Sequence, residues 1–228
     1  VEKQHFKRLS EPSVRQAFTE RVEAFYQQAS QHYTDKREHN ARIASVKAKL
    51  QHTGGDLGQM LPVLEGLWNT DKTNKDILIS LAYYNSMVEE WPTALKYARL
   101  FLAEHGRQSA GKLSVGMLEP AILNKLNEKE LARERLEAFR DRVSDPWYRL
   151  LSSYLLDPGL QPIFTAQAGE RPENLLTGHT AFGFWAEGQG NLSDAIKHYR
   201  EALGSYLDDR IEYDFAEERL KRLRQANK

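Results

Sequence analysis

The chain has 228 residues, enough for one domain or two small ones, and its 32 basic residues are balanced by 32 acidic ones. Nucleic-acid-binding proteins usually show a basic excess, so this balance argues mildly against one. The absence of cysteine excludes disulfides, thiol catalysis and cysteine metal sites while fitting either a reducing or an oxidising compartment, no apolar run reaches the length of a membrane span, and no cleavable signal peptide is visible.

Residues 1–11 are polar and predicted to fray. Between Pro12 and Gln51 there is no glycine and no second proline. Phe18, Val22, Phe25 and Ala29 fall at alternating spacings of four and three, and Ile43, Val46 and Leu50 resume the same phase. His32, Lys36 and His39 occupy the stripe between them. One long helix, or two broken near Thr34-Asp35, both fit; the polar gap reads as a helix leaving its neighbours or as a solvated stretch. Asp56 is expected to cap the next helix, with Gln59 at the capping-box distance and Met60, Leu64 and Leu67 buried. Leu78, Leu81, Ala82 and Asn85 mark a further helix. Glu90-Trp91-Pro92 opens its partner, with Pro92 in the first turn, where a missing N–H costs little, and Ala94, Ala98 and Phe101 follow.

Ala132, Leu136 and Phe139 repeat that small-and-large stripe, with Asn127 as the expected cap and Glu130 three residues on. Pro120 is predicted to kink the preceding helix or end it early. Trp147, Leu150, Leu151 and Tyr154 predict a short helix, Asp157-Pro158-Gly159 a break, and residues 161–168 a second short helix. From Leu176 to Leu207 two amphipathic helices meet at Gly190-Asn191. The first carries His179, Phe182, Gly183 and Ala186; the second carries Ala195, Tyr199 and Ala202, capped by Asn191 with Asp194 in the first turn. Ile211, Phe215, Leu220 and Leu223 outline a last helix whose other face is charged (Glu212, Asp214, Glu217, Arg219, Arg222) and expected to meet solvent.

Phe182-Gly183, Gly190-Asn191, Ala195, Tyr199 and Ala202 together resemble a tetratricopeptide (TPR) repeat. The resemblance extends over about 41–223, with repeats near 41–74, 75–108, 109–146 and 176–209. Residues 147–175 are either a degenerate repeat or a loop-rich insert, 1–40 a long N-terminal helical extension, and 210–227 a terminal capping helix. It implies an all-α fold, a right-handed superhelix of antiparallel helix pairs, and a concave groove that binds a partner peptide or protein. Periodicity by itself shows only an array of helical hairpins, and fold does not fix function. Mapped onto this chain, the groove positions are Arg42, Ser45, Lys49, Asp76, Ile79, Tyr83, Ser86, Met87, Met117 and Phe184. Tyr83 and Phe184, each nine residues into its repeat, are expected to be partly exposed aromatic anchors; the alternative is that some of these residues pack on neighbouring helices. Ser45 with Lys49, and Ile79 with Tyr83, do not match the family's carboxylate clamp, which argues against chaperone C-terminal tails as ligands.

No residue reads as catalytic, cofactor-binding or metal-binding. The segment GFWAEGQG at 183–190 lacks a following GK[ST] and a preceding strand, so its glycines serve close packing and a turn. HExxH, GxSxG and the kinase signature set are absent. His32, Asp35 and His39 share a helical face, yet one helix supplies no fourth ligand, and a solvated face explains them better. His179 reads as a packing histidine rather than a base. Acidic residues gather at 208–218 and basic ones at 36–49; these are solvated faces or, alternatively, the two ends of a head-to-tail homo-oligomer. The expected function is a non-enzymatic protein-interaction scaffold. The alternatives are a regulatory or sensor segment of a larger, bacterial signalling enzyme such as a protein kinase, which the start at Val1 motivates, and an enzyme using 147–175 as a lid, for which no catalytic constellation speaks. A cytoplasmic location is expected, with the native N-terminus left open.

Overall fold

The computed structural model describes residues 57–70, 72, 75–104, 110–169, 171–208 and 210–226. Among them every regular element is helical: α1 (Leu57–Thr70), α2 (Lys75–Met87), α3 (Trp91–Glu104), α4 (Ala110–Lys125), α5 (Lys129–Arg142), α6 (Pro146–Leu156), α7 (Gln161–Ala168), α8 (Pro172–Gly188), α9 (Leu192–Leu203) and α10 (Ile211–Ala226), with a 3-10 turn at Pro158–Leu160 between α6 and α7. None of these helices is long and apolar enough to cross a membrane. The chain divides into two compact units, residues 1–81 and 82–228, with the boundary inside α2.

In the first unit α1 buries Leu64 and Trp68, one turn apart, while Leu67 is half-buried. Its stripe therefore runs one residue later than the expected Leu64–Leu67 spacing, because an i, i+4 step keeps the large indole on the same face. The Asp56 cap and the periodic stretch before it lie outside the described residues. Leu78 and Leu81 are fully buried, as the periodicity of α2 predicts.

The second unit uses one turn three times. Glu89, Asn127 and Gly190 adopt left-handed backbone conformations, with φ of 70°, 64° and 81°. Each follows its helix by the same interval, and the next residue's N–H closes back five residues: Glu90 to the Asn85 carbonyl at 2.9 Å, Glu128 to Leu123 at 2.9 Å and Asn191 to Ala186 at 2.9 Å. This is the helix-terminating 6→1 bond, which satisfies a carbonyl that the helix end would otherwise orphan. Five residues after each left-handed position stands a fully buried alanine: Ala94, Ala132 and Ala195. Nine residues after it stand Ala98, Leu136 and Tyr199, also fully buried. The hairpins α2–α3, α4–α5 and α8–α9 thus share one register. Asn127 accordingly ends α4 instead of capping α5; Glu128 holds the cap position with no side-chain hydrogen bond. Asn191 does cap α9, accepting from the Asp194 N–H at 3.4 Å.

Small residues set the distance between paired helices. A Cβ on Gly183 would stand 2.7 Å from the Tyr199 ring, and one on Gly116 would stand 2.3 Å from the Phe139 ring. Pro120 does not end its helix, for α4 continues to Lys125; one missing N–H is tolerated where the surrounding turn is packed, and Ile122 and Leu123 are fully buried. Helices α6 and α7 are part of the core: Leu151, Phe164 and Ala168 pack with Met117, Leu136 and Phe182. Phe164 stacks on Tyr154 at 5.2 Å and on Trp147 at 5.6 Å. Asp145 starts α6 by accepting from the N–H groups of Trp147 (2.9 Å) and Tyr148 (3.2 Å).

Candidate functional site

Of the ten expected groove residues, Arg42, Ser45 and Lys49 lie outside the described residues. In the first unit Asp76 is exposed and Ile79 half-buried. The other five are buried: Tyr83 4%, Ser86 0%, Met87 0%, Met117 6% and Phe184 2% exposed. Tyr83 and Phe184 are therefore not the exposed groove anchors expected; both belong to the core, and α10 is the reason. Its Phe215 ring lies edge-on to Tyr83 at 5.7 Å, at 63° to Phe184 at 5.0 Å, and edge-on to Tyr199 at 6.2 Å. Tyr83, Met117 and Phe184 do meet, around a cavity of about 30 Å³ closed on one side by Glu212 and Phe215 of α10. The Tyr83 hydroxyl is hydrogen-bonded to Ser114. The Ser86 hydroxyl donates to the Ala82 carbonyl at 2.8 Å, its own helix one turn back.

One turn beyond Phe215, Arg219 is 1% exposed. Its guanidinium grips the Glu187 carboxylate with two N–H groups, Nε donating to Oε2 at 3.1 Å and Nη2 to Oε1. Nη1 donates to Glu89 Oε1 at 2.8 Å. Lys125 Nζ reaches Glu187 Oε1 at 3.0 Å, and the Tyr199 hydroxyl donates to Oε2 at 3.0 Å. The Trp91 ring lies 5.3 Å from the guanidinium carbon and 5.2 Å from Lys125 Nζ, within cation–π range of both. Burial pushes the Glu187 carboxyl up, but the hydrogen bonds and charges of Arg219 and Lys125 outweigh it and hold the carboxyl below its ordinary value. Burial likewise works against the Arg219 charge, and Glu187 more than restores it. Two acids, Glu89 and Glu187, and two bases, Lys125 and Arg219, balance in formal charge.

The last helix is therefore not a simple apolar face backed by a solvated one. Phe215, Leu220 and Leu223 are buried as expected, but so are Arg219, Asp214 and Glu218. Glu218 pairs with Arg222 at 2.8 Å and Lys221 at 3.2 Å, which leaves the acidic 208–218 stretch less free than its composition implies.

The sequence did carry a sign of Arg219. It falls four residues after Phe215 and four before Leu223, a charge in the middle of an apolar stripe. Glu187 likewise falls four residues after Gly183. Glu89 had no such sign, because its role depends on a partner far away in the sequence.

His179 of α8 is a packing residue with a specific partner. Its Nδ1 stands 2.9 Å from Nδ1 of His198 in α9, with Phe164 5.5 Å from the first ring and Phe182 5.3 Å from the second. Among the described residues no three His, Asp or Glu side chains gather as metal ligands; the His32, Asp35 and His39 set lies outside them. A second, open depression of about 240 Å³ lies between α3, α4 and α5, rimmed by Arg99, Arg135 and Arg142. Arg99 there is committed to Glu119 at 3.1 Å.

No family model matches this chain, no curated protein matches it, and no solved structure matches it.

Proposed function

We propose that the chain is a non-enzymatic protein-interaction scaffold of the TPR type, a right-handed superhelix of antiparallel helix pairs whose inner helices α2, α4 and α8 receive a segment of a partner protein. One observation carries the reading. Tyr83, Met117 and Phe184, mapped to the inner face on repeat register alone, converge on one place, and what they hold there is a helix. The threefold recurrence of the left-handed turn with its buried alanine supports the repeat architecture. The cluster of ionisable groups nearby supports binding over chemistry, since Glu187 is engaged by Arg219, Lys125 and Tyr199 at once.

The test is affinity capture on the purified full chain, followed by direct titration of each captured protein by calorimetry. Saturable binding at micromolar affinity or tighter, weakened in a Glu89→Lys variant at the half-exposed rim, is the expected result. Captured proteins that fail to bind the purified chain directly would overturn the reading.

A further inference from the structure

The place where α10 lies is built to hold an arginine and an aromatic ring one helical turn apart. The arginine seat consists of Glu187, whose side chain is 1% exposed, and Glu89, whose side chain is 48% exposed, closed by the Trp91 ring. Glu89 adopts a left-handed backbone conformation in a turn whose counterparts use Asn127 and Gly190, residues that tolerate it better. The turn thus carries a conformational cost at the residue that reaches Arg219. The ring seat is the Tyr83, Phe184 and Tyr199 box around Phe215.

Two features distinguish α10 from the core it covers. A buried ion pair is usually no more stabilising than apolar residues of the same volume, so a guanidinium and carboxylate here confer recognition more than strength. The fit is also incomplete, because the cavity of about 30 Å³ remains between Glu212, Phe215 and the inner helices.

We infer that this seat is a receptor for an amphipathic helix bearing an aromatic residue and an arginine four positions apart, and that α10 is its resident occupant, displaced when a partner helix with the same pattern binds. The inference rests on the interaction-scaffold reading above and adds the partner's chemistry and the autoinhibition. The Phe215-x-x-x-Arg219 spacing is the recognition element. A partner with a larger apolar side chain at the position of Glu212 fills the cavity that α10 leaves, and binds about threefold tighter for it.

The experiment uses the full chain and a labelled synthetic peptide of residues 208–228 as the probe. Amide hydrogen exchange on the wild-type chain is expected to show α10 opening on its own, roughly a hundredfold faster than the buried amides of α8 and α9. In fluorescence anisotropy, a full chain carrying Arg219→Glu, whose own α10 is repelled by Glu187, binds the peptide about tenfold tighter than wild type. Peptides with Phe215→Ala or Arg219→Ala lose about tenfold or more. Exchange of α10 in step with α8 and α9, or equal binding of the three peptides, would overturn the inference. If the Arg219→Glu chain loses its overall helicity, the wild-type exchange measurement decides alone. A captured partner that binds wild type without altering α10 exchange refutes the displacement and leaves the scaffold standing. Peptide displacement with no protein partner in any extract does the reverse.

Discussion

The His179–His198 pair makes the α8–α9 hairpin sensitive to acid. With the two Nδ1 atoms 2.9 Å apart, one ring must donate and the other accept, so the pair is intact only while at least one imidazole is neutral. Burial first, then the charges of His198 and Lys197, lower the His179 pKa from 6.5 to about 4. Burial and Lys197 lower that of His198 as well, against the opposing pull of Asp194. Between about pH 4 and 6.5 the unfolded chain therefore binds protons that the folded chain refuses. Stability from this source is fully present above the unfolded value of 6.5 and drains away as pH falls toward 4. A difference of that size corresponds to about 3 kcal/mol for His179 alone. Urea denaturation at pH 7.5, 6.5, 5.5 and 4.5 measures the loss, and a His179→Leu variant, which retains only the His198 contribution of the pair, is expected to show a flatter profile over the same window. Glu187, with its lowered pKa, keeps its contribution above the ordinary carboxyl value of 4.5 and loses it as pH falls from there, so it overlaps only the most acidic of these points. Parallel profiles for wild type and His179→Leu between pH 6.5 and 4.5 would refute the reasoning.

Other perturbations probe the packing. Gly183→Ala places a methyl 2.7 Å from the Tyr199 ring, which cannot retreat while its hydroxyl is bonded to Glu187, and is expected to cost about 1–3 kcal/mol in chemical denaturation. Ala195→Leu, at a fully buried position, is expected to destabilise by about 1–3 kcal/mol through the same overpacking, seen as a lower melting temperature. Arg219→Met leaves Glu187 buried with Lys125 and Tyr199 alone and is expected to destabilise by about 3 kcal/mol, while adding Glu187→Met in the same chain recovers most of that loss, as a double-mutant cycle followed by thermal melts would show.

What the sequence made legible was what a single helix reports about itself. The Ala94–Ala98–Phe101 and Ala195–Tyr199–Ala202 stripes are buried because their spacing matches the helical period and small residues admit a close neighbour. The Asn191 cap was readable for the same local reason. Asn127 was misread because a capping residue and a left-handed terminator draw on the same amino acid; only the 6→1 bond from Glu128 to Leu123 distinguishes them. Tyr83, Met117 and Phe184 line one cavity, but as buried residues and not as the exposed ones expected, and their exposure was not readable. Exposure depends on whether a distant segment folds back, and the Arg219–Glu89 bond joins residues 130 positions apart. No periodicity within a helix reports a contact of that range.

Phe215 of α10 packs against Tyr83 and Phe184 within the second unit. Nuclear Overhauser effects between aromatic rings test it most directly, because centroids 5.0 to 5.7 Å apart place ring protons within observable range. Cross-peaks from the Phe215 ring to both Tyr83 and Phe184 are expected in the full chain. A Phe215 ring with contacts to neither, in a chain that retains its helical signal, would contradict it.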